Sequence, residues 1–175
     1  MIPADGQLPG LGVGGSAVFS DDGVYRYLLS RVWARPTPAV CWVMLNPSTA
    51  DADLDDQTIR RCTYYSRRAG AGSLLVVNLY AYRATHPAEL LTAPNPTGGR
   101  ENWIAIDQAI GDSAMVVAAW GAGVNLRADG PDIEAAFRAV VTLSGLKLLC
   151  LGTTKDGHPR HPSRLGNDVP FEVLG

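Results

Sequence analysis

The segment CWVML at residues 41–45 is a short, fully apolar run that stops at the turn Asn46-Pro47-Ser48-Thr49. Such a run is typical of a strand that is buried on both faces of a parallel sheet. Three later runs have the same character: SLLVVNLY at 73–80, AMVVAAW at 114–120 and KLLCLG at 147–152. Together the runs predict four parallel strands at the centre of the fold.

Segments with helical spacing separate these runs, at residues 54–69, 100–110 and 131–143. A chain that alternates strand and helix forms right-handed crossovers, which leave a parallel sheet covered on both faces. Before the first run, Asp21-Asp22-Gly23 stands between two β-prone stretches and predicts a hairpin. We therefore predict a single α/β domain over residues 1–175, with residues 1–15 as a flexible arm rich in Gly and Pro.

The composition is typical of a globular protein, with 46% hydrophobic and 18% charged residues. No apolar stretch reaches the roughly 18 residues of a membrane span, and the N-terminus does not resemble a signal peptide. The isolated Cys41, Cys62 and Cys150 predict buried free thiols, without a zinc site or a disulfide framework. These features predict a cytoplasmic protein with no membrane partner.

The predicted sheet also indicates where a ligand would bind. Ligands of such sheets lie beyond the carboxyl ends of the strands, where four loops would meet, at residues 46–53, 78–86, 120–125 and 152–165. The formal net charge of −2 argues against a general nucleic-acid coat protein, but it allows a local phosphate-binding patch.

The first loop places the Asn46 amide at the mouth of the sheet, and Pro47 holds it extended. The amide is suited to holding a water or a ligand carbonyl, but the motif taken alone favours a plain strand-ending turn with Ser48 or Thr49 as a cap. Four carboxylates follow, and we favour helix capping over metal binding for most of them, with one left as a candidate to activate water: Asp51, Asp53, Asp55 and Asp56.

The second and third loops each carry a notable side chain. Asn78 lies within an apolar strand, where an unpaired amide costs about 1–3 kcal/mol, so it either bridges to a loop or reads the edge of a ligand. Trp120 ends the third strand and is predicted to belong to the core or to a pocket wall.

The fourth loop concentrates positive charge and is stiffened by Pro159 and Pro162. A cationic loop at a strand end suits an anionic ligand such as a phosphodiester, although a solvated basic turn is the alternative. Its candidate phosphate-binding residues are Lys155, His158, Arg160 and Arg164. We interpret the arginines of the first helix as a solvated face: Arg60, Arg61, Arg67 and Arg68.

In chain order, these motifs resemble the uracil-DNA glycosylase superfamily over residues 40–165. The four matching segments are LNPST at 45–49, LLVVNLYAYRATH at 74–86, VVAAWG at 116–121 and HPSRL at 161–165. The chain is also similar to a bacterial and phage family of unknown function that carries MLNPSTAD and TKDGHPRHP.

The glycosylase resemblance implies a three-layer α/β/α sandwich with a central four-stranded parallel sheet, to which this chain adds the N-terminal hairpin. It implies hydrolysis of an N-glycosidic bond in DNA, without metal or cofactor. Asn46 would position the attacking water, beside Pro47 and Ser48. Asn78 would read an extruded base, and His161 would stabilise the negative charge on that base as it departs.

The resemblance also assigns supporting roles. Ser163 would contact phosphate, Leu165 would wedge into the base stack, and Tyr80 or Tyr82 would provide a stacking surface. Efficient members carry an Asp where this chain has Asn46. No motif of that superfamily covers Asp51 or Asp53, and we name Asp51 as the candidate catalytic carboxylate, with Asp53 as the alternative. Two alternatives therefore stay open: a non-catalytic nucleic-acid or nucleotide-binding module, and a nucleoside or nucleotide hydrolase.

Overall fold

The computed structural model describes residues 14–34, 38–48 and 55–175. Most of the predicted arm lies outside these ranges, and Gly14 and Gly15 belong to the first strand. The strands are β1 (Gly14–Phe19), β2 (Arg26–Val32), β3 (Ala39–Met44), β4 (Ser73–Asn78), β5 (Ser113–Ala118), β6 (Leu148–Cys150) and β7 (Glu172–Val173). The helices are α1 (Gln57–Arg68), α2 (Gly99–Gly111) and α3 (Gly130–Ser144), with 3₁₀ turns at Pro87–Leu91, Gly121–Leu126 and Pro162–Arg164.

The seven strands form one mixed sheet in the order β1-β2-β4-β3-β5-β6-β7. Strand β3 is parallel to β4 and β5, and β5 is parallel to β6, whereas the remaining neighbours are antiparallel. The α/β class is confirmed, and the parallel strands β4, β3, β5 and β6 lie within a larger, seven-stranded mixed sheet. The reason is that the N-terminal hairpin pairs with β4 and the tail pairs with β6, so both extend the sheet.

Helices cover both faces of this sheet because side chains alternate between the faces of each strand. On one face, Val40 and Trp42 of β3 share a core with Ile59, Cys62 and Tyr65 of α1. On the other face, residues of β3 share a core with residues of α2 and α3, among them Cys41, Val43, Ala105, Ile106, Phe137 and Val141. The apolar strand runs are therefore buried from both sides, as their composition predicts.

The arginines of α1 are not a simple solvated face. Arg61 donates hydrogen bonds to the carbonyls of Leu165 and Gly166 at 2.8 and 2.9 Å. Arg68 donates to the Val169 carbonyl at 2.8 Å, and the guanidinium of Arg67 stacks over the Trp33 ring. Arg61 and Arg68 thus tie α1 to the chain that follows the last 3₁₀ turn, which corrects the prediction.

The three cysteines are free and buried, as predicted. Burial raises the pKa of the Cys41 thiol to about 12, so this thiol is a packing group and not a nucleophile. No helix in the described part of the chain combines the length and apolar character needed to cross a membrane.

Candidate functional site

A cavity of about 270 Å³ opens at the carboxyl ends of the parallel strands. Each of the four loops expected at that edge contributes to its wall. The polar or aromatic side chains that line it include Asn46, Ser48, Asp56, Asn78, Trp120 and His161. The structure therefore brings together the residues that the sequence marks at four separate strand ends.

Asn46 is held in one orientation by two backbone carbonyls. Its Nδ2 donates to the oxygen of Pro47 at 3.0 Å and to that of Ala84 at 2.9 Å. The atom that faces these two carbonyl oxygens must be a donor, so it is the amide nitrogen. The other amide atom, Oδ1, is then left to accept a hydrogen bond. A carboxylate at this position would have no hydrogen to donate to these two carbonyl oxygens. Pro47 contributes its carbonyl, which also accepts from the Ala84 amide at 3.0 Å.

Asp56 closes the start of α1 and also lines the cavity. One carboxylate oxygen accepts from the Ile59 amide at 2.8 Å, which confirms the predicted helix cap. The other accepts from the Ser48 hydroxyl at 2.6 Å. Its neighbour Asp55 instead pairs with Arg31 at 2.8 Å. Asp51 and Asp53 lie outside the described residues, so their roles remain predictions.

Asn78 is the last residue of β4 and is fully buried. Neither its Oδ1 nor its Nδ2 has a hydrogen-bond partner among the described residues. Its backbone carbonyl, by contrast, accepts from Asn102 Nδ2 at 3.0 Å. The Asn78 side chain therefore does not bridge to any loop in the described residues. It lines a cavity in which water or a ligand can form the missing hydrogen bonds.

Trp120 forms part of the cavity wall, as the sequence predicts, and is 2% exposed. Its ring packs edge-to-face against Phe137, with ring centroids 5.6 Å apart. The indole Nε1 has no hydrogen-bond partner in the residues that the structure describes. Trp120 is thus a residue of the cavity wall that carries a buried donor without a partner in the described residues.

His161 is oriented by Ser163, two residues later. Its Nδ1 lies 2.8 Å from the Ser163 hydroxyl and accepts from the Ser163 amide at 3.3 Å. Because Nδ1 accepts the amide hydrogen, the neutral ring carries its proton on Nε2. Burial lowers the pKa of His161, with the Asp56 charge opposing and the Arg164 charge assisting. The ring is therefore a neutral donor at pH 7, and the Ser163 hydroxyl is engaged with it and not free for phosphate.

A second depression, of about 470 Å³, lies beside the cavity and shares His161 with it. We call it the arginine groove, because Arg160 and Arg164 line it and are both exposed. Neither guanidinium has a hydrogen bond or ion pair within the described residues, so both are available to an anion. The other two predicted phosphate-binding residues lie apart: Lys155 is exposed outside the groove, and His158 Nε2 is 2.9 Å from Asn125 Nδ2.

Two predicted substrate contacts are instead part of the core. Tyr80 is fully buried, and its hydroxyl donates to Asp129 at 3.1 Å, so it offers no stacking surface. Leu165 is 8% exposed and packs into the α1-side core, so its side chain is not free to act as a wedge. Tyr82 lines a separate depression next to the hairpin turn.

A family model described as "Protein of unknown function (DUF1643)" matches residues 26–163, which is most of the chain. The chain belongs to this family. No curated protein and no solved structure matches it. The DUF1643 segment contains every residue that lines the cavity, whereas Arg164 and Leu165 follow it.

Within residues 14–34, 38–48 and 55–175, no three His, Cys, Asp or Glu side chains come together in a way that could hold a metal ion.

Sequence reasoning missed two residues of the DUF1643 segment. Arg26 of β2 lines the cavity and is 3% exposed, and its signal was a charged residue inside an apolar run. Asn102 of α2 holds the end of β4, but an Asn in an amphipathic helix carries no signal of its own.

We expect the buried His161 to make stability depend on pH. Because its folded-state pKa lies below the ordinary 6.5, its contribution is present above pH 6.5 and is lost as pH falls toward the folded-state pKa. The free energy of unfolding, measured with urea, should fall between pH 7.5 and pH 5.5. This fall should be smaller in His161→Asn than in the wild type. An equal loss in both proteins would contradict the assignment.

Proposed function

We propose that this DUF1643 protein hydrolyses the N-glycosidic bond of a uracil-like or modified base in DNA. The observation that carries the proposal is that Asn46, Asn78 and His161, which are far apart in sequence, line one cavity. A group that reads a base and a group that stabilises its departure must both reach that base through hydrogen bonds.

The fold supports the same proposal. The four parallel strands lie in the order β4-β3-β5-β6, and helices cover both faces. We propose that this part is a uracil-DNA glycosylase-like sandwich, to which the hairpin and β7 are added at the edges. The four strand-end motifs that resemble that superfamily fall on its carboxyl edge.

We assign each of the three cavity residues a separate role in the reaction. The Asn78 amide, which has no partner in the described part of the chain, offers one donor group and one acceptor and pairs with the edge of an extruded base. Asn46 Oδ1 accepts a hydrogen from the attacking water, since Nδ2 is occupied. As the bond between C1′ and the base nitrogen breaks, His161 Nε2–H donates to the charge that develops on the base. The water oxygen forms the new bond to C1′.

The arginine groove fits the phosphate of the same nucleotide. Arg160 and Arg164 have no hydrogen-bond or ion-pair partner among the described residues, and they line the groove together with His161. Guanidinium groups bind phosphate oxygens in a bidentate manner and position a nucleic acid without reading its sequence. A base in the cavity would therefore have its backbone in the groove.

A second candidate is a nucleotide hydrolase, and the burial of Leu165 favours it. A wedge residue has to leave the protein surface and enter the base stack, but Leu165 is packed against the core. The loop after it is tied to α1 by Arg61 and Arg68. Single-stranded DNA or a free nucleotide presents its base without such a wedge.

An abasic-site assay tests the function directly. We expect the wild type to release a base from an oligonucleotide panel carrying uracil, hydroxymethyluracil, hypoxanthine or mismatched thymine, and Asn46→Ala to be inactive because the water loses its acceptor. The same panel, run in single and double strands and against free nucleotides, separates the two candidates. Salt-sensitive binding without base release would instead identify a binding module.

A further inference from the structure

The proposed reaction needs a group that accepts the proton of the attacking water. Asn46 does not serve, because an amide is not a base at neutral pH and its Nδ2 is held by two carbonyls. His161 does not serve either, since Ser163 occupies its Nδ1 and its Nε2 carries the proton. The basic group therefore has to come from another part of the cavity wall.

Ser48 and Asp56 form a hydrogen-bonded pair in that wall. The Ser48 hydroxyl donates to Asp56 Oδ2 at 2.6 Å, within the short range typical of a hydroxyl bound to a carboxylate. Asp56 Oδ1 is fixed by the Ile59 amide, so the carboxylate is held in place by the start of α1. Because its hydrogen points to Asp56, Ser48 Oγ presents its lone pairs to other donors.

We propose that Ser48 and Asp56 together are the general base of this site, a role that rests on the proposed function. A water held by Asn46 Oδ1 donates its other hydrogen to Ser48 Oγ. As its oxygen bonds to C1′, that proton passes to Ser48, and the Ser48 proton passes to Asp56 Oδ2. The electron pair of the C1′–N bond leaves with the base, and the proton on Asp56 returns to the base or to solvent.

Independent observations support a ligand in the space that this pair faces. The same cavity contains Asn78, which is fully buried and has neither amide atom paired within the described residues. It also contains His161, whose Nδ1 is engaged by Ser163. The base reader, the leaving-group donor and the proposed base therefore share one volume of about 270 Å³.

A helix cap alone would explain only half of these contacts. A cap requires one side-chain oxygen, which Oδ1 supplies to Ile59. Oδ2 is used for a hydroxyl of the strand-end loop, and both partners line the cavity. The two roles can be separated, because Asn caps helices as well as Asp does but does not accept a proton.

The test compares Asp56→Asn, Ser48→Ala and the double variant with the wild type, on the substrate found by the abasic-site assay. Asp56→Asn should lower kcat by about 10²–10⁴-fold with little change in KM or melting temperature. The double variant should be no worse than Asp56→Asn, since residues that act as a unit have non-additive effects. Asp55→Asn, which alters the neighbouring carboxylate that pairs with Arg31, should keep wild-type turnover.

Several results would overturn the assignment. Wild-type turnover in Asp56→Asn, or a loss of kcat in Asp51→Asn in place of Asp56→Asn, would remove Asp56 from the chemistry and leave the proposed function intact. A change in melting temperature that accounts for the lost activity would reduce the pair to a structural link. Absence of turnover by the wild type on every substrate would overturn both the inference and the proposed function.

Discussion

Replacing His161 with Asn should lower turnover by about 10²–10³-fold, the effect of removing one donor to a developing charge. The His161 ring is held by Ser163 with Nε2–H as its free donor, so the loss falls on departure of the base and not on binding. We therefore expect kcat to fall and KM to change little, as measured by steady-state base release.

Asn is chosen because it should remove the Nε2–H donor while keeping the local structure intact. Its side-chain oxygen lies near the position of Nδ1 and can still accept the Ser163 amide, so the 3₁₀ turn Pro162–Arg164 should keep its cap. His161→Gln places an amide N–H closer to the position of Nε2 and should restore part of the activity. Equal turnover in the wild type and in both variants would exclude His161 from the reaction.

Replacing Asn78 with Leu should weaken binding of the base without destabilising the protein. The side chain loses no hydrogen bond to the described residues, and replacing an unsatisfied buried amide with an apolar group of similar shape is neutral or stabilising. Loss of a bidentate contact to a base costs about 1–3 kcal/mol, or about 5- to 150-fold in affinity. Tryptophan fluorescence can report the binding, because Trp120 lies in the same wall.

Asn102→Leu is the matched control, since Asn102 is also a fully buried amide. Its Nδ2 holds the Asn78 carbonyl, while its Oδ1 is unpartnered within the described residues, so its loss should cost about 1 kcal/mol of unfolding free energy. Urea unfolding measures both variants. If Asn78→Leu is destabilised as much as Asn102→Leu, the Asn78 amide is structural and the base-reading role fails.

The sequence pattern explains much of the fold, because strand burial and helix capping depend on residues that are close together in the chain. Runs such as CWVML and SLLVVNLY are strands β3 and β4, since apolar residues on both faces require cover on both sides. Asp56 caps α1 because a carboxylate just before a helical pattern finds the free amides of the first turn. The pairing partners of the hairpin and of the tail were not predictable in this way, because pairing of the hairpin with β4 and of the tail with β6 joins residues far apart in the chain.

The sequence by itself determined the α/β class, the strand ends and the polar side chains at those ends, because these depend on periodicity and turn chemistry. The tertiary structure decided which of those side chains meet. In it, Ser48 is hydrogen-bonded to Asp56 and Ser163 to His161, and the Asn78 amide has no protein partner in the described residues. It also buried Tyr80 and Leu165, because the burial of an aromatic or aliphatic side chain depends on which distant elements pack over it.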